Sequence, residues 1–126
     1  MIAVHMARIF LCDDADDYRA LVSAVFERED DLEVVGEAPS AMACISDAPD
    51  TRPDVVLLDL NMPGLNGLDA VPLVLEAMPS TSVVILTSAD DAKAEAEALA
   101  KGARAFIRKP MNAFDLPDEL RAAMAA

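Results

Sequence analysis

Positive charge is scarce in this chain. Its 126 residues carry 10 Lys and Arg against 23 Asp and Glu, a formal net charge of −13. Nucleic-acid phosphates are bound by clustered Lys and Arg, so direct contact with nucleic acid is not expected. The same balance disfavours anionic membrane surfaces, and no apolar run is long enough to span a bilayer. Histidine is nearly missing: His5 stands alone, in a leading tail over residues 1–7. One imidazole excludes any site built from several. Cys12 and Cys44 show no metal-ligand spacing and read as free, buried or half-buried thiols. The opening residues lack the basic region and the apolar length of a signal peptide, so the expectation is a cytosolic protein. A G-x-x-x-x-G-K-[ST] phosphate loop is also missing, which argues against ATP as a bound donor.

What is present is a strict alternation. The length suits one domain, over residues 8–126, with no repeat and no low-complexity linker. Apolar runs at 8–12, 33–37, 55–58, 82–87 and 104–108 read as strands. The run Val55-Val56-Leu57-Leu58 is continuous, as expected of a strand covered on both faces. Between the runs lie helical patterns. Tyr18, Leu21, Val22, Val25 and Phe26 form an amphipathic stripe that Asp16 or Asp17 is placed to cap. Ser40 is placed to cap a short helix to about residue 48. The third helix is expected from about Asp69, which as N-cap would leave Pro72 harmless in the first turn. The fourth, over 90–101, is Ala-rich, with Ala92, Ala96, Leu99 and Ala103 inward, a Glu97–Lys101 pair and Gly102 just past its end. The fifth is expected to be capped by Asp115 and to bury Leu116, Leu120, Ala123 and Met124. Alternating strands and helices imply an α/β fold, a parallel sheet with helices on both faces.

In a parallel sheet all C-terminal strand ends share one edge, where open α/β sheets bind ligands. The ends here are Asp13-Asp14, Asp59, Thr87 and Lys109. One Asp after a strand is more often a turn former than a site. Three together repel one another, and a hard divalent cation resolves that repulsion with oxygen ligands. Lys109 adds a positive charge for phosphate oxygens, and Thr87 a hydroxyl. Metal, ammonium and hydroxyl around a free carboxylate suit phosphoryl transfer, with Asp59 as the nucleophile.

The set Asp13-Asp14, Asp59, Thr87 and Lys109-Pro110, with Met62-Pro63-Gly64 and Gly67 after the central Asp, resembles the response-regulator receiver domains of two-component signalling. The resemblance covers residues 8–124. The stretches Glu33–Ala38, Pro53–Asp59 and Lys101–Ala105 look most like NarL/LuxR-type, CheY-like receivers, which usually precede a DNA-binding domain. It implies a flavodoxin-like (βα)5 fold, with strand order 2-1-3-4-5. It implies that Asp59 is phosphorylated by a sensor histidine kinase. Mg²⁺ or Mn²⁺ would be held by Asp14, Asp59 and the Asn61 backbone carbonyl, with Asp13 acting mostly through water. Thr87 and Lys109 would bind the phosphoryl group, and Phe106 would be an aromatic switch, although core packing explains a strand Phe equally well. Asn61 and Ala89 stand where the family tunes hydrolysis of the phosphate. The surface of the fourth helix, fifth strand and fifth helix would carry the output, with a homodimer as one form of it. The family's usual Asp-Gly after the second strand is replaced by Pro39-Ser40. A stand-alone receiver, a part of a longer regulator, a Mg²⁺-dependent small phosphatase and a non-phosphorylated scaffold all remain open at this point.

Overall fold

The structure, a computed structural model, describes residues 6–88 and 91–125. His5, Ala89 and Asp90 lie outside the described residues.

Five strands, β1 (Ala7–Cys12), β2 (Leu32–Ala38), β3 (Val55–Leu58), β4 (Ser82–Thr87) and β5 (Ala105–Arg108), pair in parallel in the order β2-β1-β3-β4-β5. Helices α1 (Asp16–Glu27), α2 (Ala41–Asp47), α3 (Gly67–Ala77), α4 (Ala92–Ala100) and α5 (Leu116–Ala125) alternate with them. Fold class and strand order are those expected. The β1–β2 register slips by one residue after Ile9, where Val34 faces Ile9 and Gly36 faces Phe10. Gly36 is needed there, because a Cβ would come within 2.7 Å of the Phe10 ring.

The pleat sorts the core into two layers. Phe10, Cys12, Val56, Leu58, Val83 and Ile85 face α2, α3 and α4, whose Cys44, Val71, Val74 and Ala98 are buried against them. Ile9, Leu11, Val55, Leu57, Val84 and Leu86 face α1 and α5, meeting Val22, Phe26, Leu116 and Leu120. Alternate residues of each central strand thus serve opposite layers, which is why those strands read as unbroken apolar runs. Phe106 is half-buried on β5 and packs on the α2–α4 layer.

Several local expectations are corrected. The residue before α1 is Ala15, with no side-chain cap; Asp16 and Asp17 lie inside the first turn, where they favour the positive end of the helix dipole. Leu21 is 45 % exposed, while Val22, Val25 and Phe26 are buried. Helix α3 starts at Gly67, because Asn66 rather than Asp69 caps it, accepting from the Asp69 N–H at 2.9 Å. Pro72 therefore sits in the helix interior, on its exposed side, with no N–H to offer the carbonyl four residues back. In α4 the buried residue is Ala98, with Ala94 packed beside it; Ala92, Ala96 and Leu99 are exposed, and Ala103 is buried just beyond the helix. Alanine recurs at every second position from 92 to 100, a period that selects no helix face. Asn112, not Asp115, is the cap near α5; it starts a 3-10 turn (Ala113–Asp115) that runs into the helix. Ser40 caps α2 as expected, accepting from the Ala43 N–H at 3.1 Å, so Pro39-Ser40 is a working helix entry. Gly102 has φ +113°, the left-handed conformation wanted just past a helix end.

Candidate phosphoryl-transfer site

Strand β1 ends in Cys12, and the chain then turns at Asp13. The Asp13 N–H still bonds to the Ala38 carbonyl at 3.1 Å, so this carboxylate is fixed by the sheet. Its Oδ1 accepts from the Ala15 N–H at 2.8 Å, which closes the turn into α1. Asp59 is tied to β1 in the same way, its N–H donating to the Cys12 carbonyl at 2.9 Å. Its Oδ1 accepts from the Asn61 N–H at 3.2 Å. Asp13 and Asp59 are each only 6 % exposed, whereas Asp14 faces solvent. One carboxylate oxygen from each of Asp13, Asp14 and Asp59 lies within 4.8 Å of the others.

Lys109 supplies the positive charge. Its backbone N–H donates to the Thr87 carbonyl at 2.8 Å, a bond that continues the β4–β5 ladder. Its Nζ then reaches across the sheet edge to Asp13 Oδ2 at 2.7 Å and Asp59 Oδ2 at 3.3 Å. Thr87 is fully buried, with its hydroxyl 3.4 Å from Asn61 Nδ2, a long contact that links β4 to the loop after β3. Asp13, Asp14, Asp59, Asn61, Thr87 and Lys109 therefore meet at one edge. Phe106 does not line it.

The donor set fits a hard divalent cation. All three side-chain donors are carboxylate oxygens, two of them fixed by backbone bonds and the third open to water. Mg²⁺ takes oxygen ligands at about 2.0–2.1 Å and retains several waters. Nitrogen and sulfur are absent from the group, which disfavours zinc.

The loop beyond Asp59 is shaped by two glycines. Gly64 has φ +83°. Gly67 is required by proximity: a Cβ there would lie 2.5 Å from the Asp59 carbonyl oxygen and 2.7 Å from Leu60 Cα. Met62 is buried beneath the loop, its Sδ 3.7 Å from Cys12 Sγ. Cys12 and Cys44 are free and buried, as expected. The Cys12 thiol donates to the Ser40 carbonyl at 3.2 Å, and the neighbouring Cys44 thiol, then burial, push it far above its ordinary range.

Sequence reasoning missed two neighbours, both on the first turns of α1. The sequence pattern places Tyr18 only in an apolar stripe; its ring centroid lies 4.2 Å from Lys109 Nζ. Burial, then the charges of Asp13, Asp59 and Glu119, push its phenol up to about 12, so it stays neutral. Arg19 donates to the Asp13 carbonyl at 2.5 Å and to Glu37 on β2 at 3.0 Å. A signal existed for each. Tyr18 is a polar-tipped residue four places after Asp14, and Arg19 is the one cation in α1.

Comparison with known proteins agrees with this geometry. The family model described as "Response regulator receiver domain" matches residues 9–121. The transcriptional regulatory protein YhcZ of Bacillus subtilis (strain 168), itself uncharacterised, is 34 % identical over 113 residues, covering 90 % of this chain and 51 % of that protein. The chain thus spans about half the length of this curated relative. The crystal structure of a LuxR-family two-component response regulator from Aurantimonas sp. SI85-9A1 superposes with a TM-score of 0.87 at 28 % identity, covering 95 % of this chain and 86 % of that one. The signal receiver domain of the response regulator NarL from Mycobacterium tuberculosis gives 0.85 at 27 % identity, covering 97 % and 99 %. A family match over nearly the whole chain, joined to the expected sheet and its acidic edge, shows that this chain belongs to the response regulator receiver domains, with NarL/LuxR-type regulators among its relatives.

Proposed function

We propose that Asp59 is the phospho-acceptor, and that a sensor histidine kinase supplies the phosphoryl group. One observation carries this reading: the Lys109 ammonium joins Asp13 and Asp59 at 2.7 and 3.3 Å, beside a third carboxylate. An Asp59 oxygen attacks the phosphorus of a phosphohistidine. The new O–P bond forms as the P–N bond breaks, and the imidazole leaves with its electron pair. The product is an aspartyl phosphate. Such transfer needs positioning and charge neutralisation more than covalent help from the protein. Asp14, Asp59 and the Asn61 backbone carbonyl would hold Mg²⁺ or Mn²⁺, with Asp13 acting mainly through water. The bound ion supplies neutralisation of the phosphoryl oxygens. Lys109 pairs with a phosphoryl oxygen and the Thr87 hydroxyl donates to another.

This is signalling rather than turnover; the domain assists only its own phosphorylation and dephosphorylation. A phosphoryl group adds about −1.5 to −2 charges at Asp59. Drawing Thr87 and Lys109 toward it shifts the ends of β4 and β5, and α4 between them. The surface of α4, β5 and α5 carries the output, through Thr87 and Phe106, by shifting a balance between two arrangements. In a longer regulator that output is transcription through a DNA-binding domain, with phosphorylation-dependent homodimerisation as its form. That step is suggested by relatives named as transcriptional regulators. No helix among the described residues is long and apolar enough to cross a membrane, which suits a cytoplasmic partner of a kinase.

Thermal melts with Mg²⁺ and beryllofluoride, which mimics the phosphoryl group, test the acceptor. Wild-type protein is expected to melt higher with both present, because they bind only the folded state. Asp59→Asn is expected to show no beryllofluoride-dependent rise. An equal rise in both proteins overturns the proposal.

A further inference from the structure

We propose that Tyr18 is a positioning residue for Lys109: the face of its ring holds the ammonium in reach of the phosphoryl group. The role rests on Asp59 being the acceptor.

Lys109 Nζ stands 4.2 Å above the centre of the Tyr18 ring, well inside the range in which a cation is attracted to an aromatic face. The lysine side chain is 17 % exposed, so water weakens the attraction little. Among the described residues it also bonds Asp13 and Asp59, the carboxylates on which a divalent cation also depends. Any sharing of those oxygens with a cation loosens their hold on the ammonium. A lysine on a flexible four-carbon stem would then gain freedom to swing into solvent. Among the described residues the Tyr18 ring is the contact that a cation on those oxygens leaves in place. It carries no formal charge, and so competes neither with the carboxylates for the metal nor with the ammonium for phosphoryl oxygens.

The ring is held still. Tyr18 lies one turn into α1, whose start is pinned by the bond from the Ala15 N–H to Asp13 and by Arg19 on the Asp13 carbonyl. The hydroxyl does not explain the residue. It is buried and has no hydrogen-bond partner among the described residues, an arrangement that costs stability rather than adding it. The ring face is therefore the part in use, and phenylalanine should serve as well. Proximity of a cation to a ring is not enough by itself. Arg28 lies 4.8 Å from the centre of Phe114, but that ring is 56 % exposed, so water weakens the attraction there. Tyr18 differs because its cation is the one that bridges the acceptor.

The test compares wild type, Tyr18→Phe and Tyr18→Leu in two measurements. Proton chemical shifts of the Lys109 ε-methylene report whether the ammonium lies over a ring, with and without Mg²⁺ and beryllofluoride. The rate of Asp59 phosphorylation by acetyl phosphate reports function. A ring-shifted Lys109 signal is expected in wild type and Tyr18→Phe in both conditions, and its loss in Tyr18→Leu. The phosphorylation rate is expected to fall about 3- to 30-fold in Tyr18→Leu and to stay within about twofold in Tyr18→Phe. Should Tyr18→Leu not fold, Tyr18→Met replaces it as a flexible side chain of similar reach. A folded, ring-free variant phosphorylated at the wild-type rate overturns the proposal, as does a Tyr18→Phe variant as slow as the ring-free one. Failure of the acceptor reading looks different, because wild-type protein itself then takes no phosphoryl group while the ring shift on Lys109 persists.

Discussion

Gly67 is a glycine for reasons of distance rather than of backbone angle. A methyl group at this position meets the Asp59 carbonyl oxygen at 2.5 Å and Leu60 Cα at 2.7 Å, both backbone atoms that cannot step aside alone. Alanine would gain less than about 1 kcal/mol in helix propensity at the first residue of α3. The overlap costs more, so Gly67→Ala is expected to destabilise the fold by about 1–3 kcal/mol, read by urea titration. It should also slow the proposed phosphorylation, because the backbone it displaces carries Asp59. Much of the site was legible residue by residue: Asp13, Asp14, Asp59, Thr87 and Lys109 all end strands, and a parallel sheet sends those ends to one edge. The direction of a long side chain was not. That Lys109 spans Asp13, Asp59 and the Tyr18 ring depends on three elements meeting, and no local pattern encodes it.

Among the helices, α4 is the least anchored. Ala98 is its one buried residue, whereas α1 buries Val22, Val25 and Phe26, and α3 buries Gly67, Ala70, Val71 and Val74. Burying little apolar surface leaves little to oppose local opening. Backbone amides of α4 are expected to exchange with solvent roughly tenfold or more faster than those of α3, and to slow when beryllofluoride and Mg²⁺ bind. Equal exchange in the two helices would remove α4 as the moving element. The alanine-rich composition of α4 shows in the sequence, but its inward face does not, since alternate alanines fit every face equally. Strands and their order followed from the alternation and the family pattern, while the expected cap Asp69 gave way to Asn66, three residues earlier. A different kind of link joins α5 to the α1–β2 connection: Arg121 bonds Glu29 and Asp31 at 2.6 Å each, and Asp118 at 2.9 Å. The Arg121 hydrogen bond, its main cause, holds the Asp31 carboxyl below its ordinary value of 3.8. A lowered folded value means that this link adds stability above pH 3.8 and loses it as pH falls through the folded value. Arg121→Gln is therefore expected to melt lower at pH 7, by a few degrees at most because the groups are partly solvated, and the gap should shrink in acid. A gap that persists unchanged in acid would show that packing, not the ion pair, is responsible.

Across the molecule, the acidic balance and the site act together. A net charge of −13 disfavours the binding of a further anion in general. At the strand edge Lys109 stands beside three carboxylates that could hold a divalent cation, the combination proposed to receive one. Two layers of helices cover the sheet and leave that edge as the natural seat of chemistry. The proposed switching requires that Asp59 be the residue that takes the phosphoryl group. Incubation with acetyl phosphate and Mg²⁺, followed by intact-mass measurement, tests this most directly. Wild-type protein is expected to gain the mass of one phosphoryl group, to lose that gain when Mg²⁺ is chelated before the reaction, and Asp59→Asn to gain none. A phosphoryl group appearing on Asp59→Asn to the same extent, or none appearing on the wild type, would contradict it.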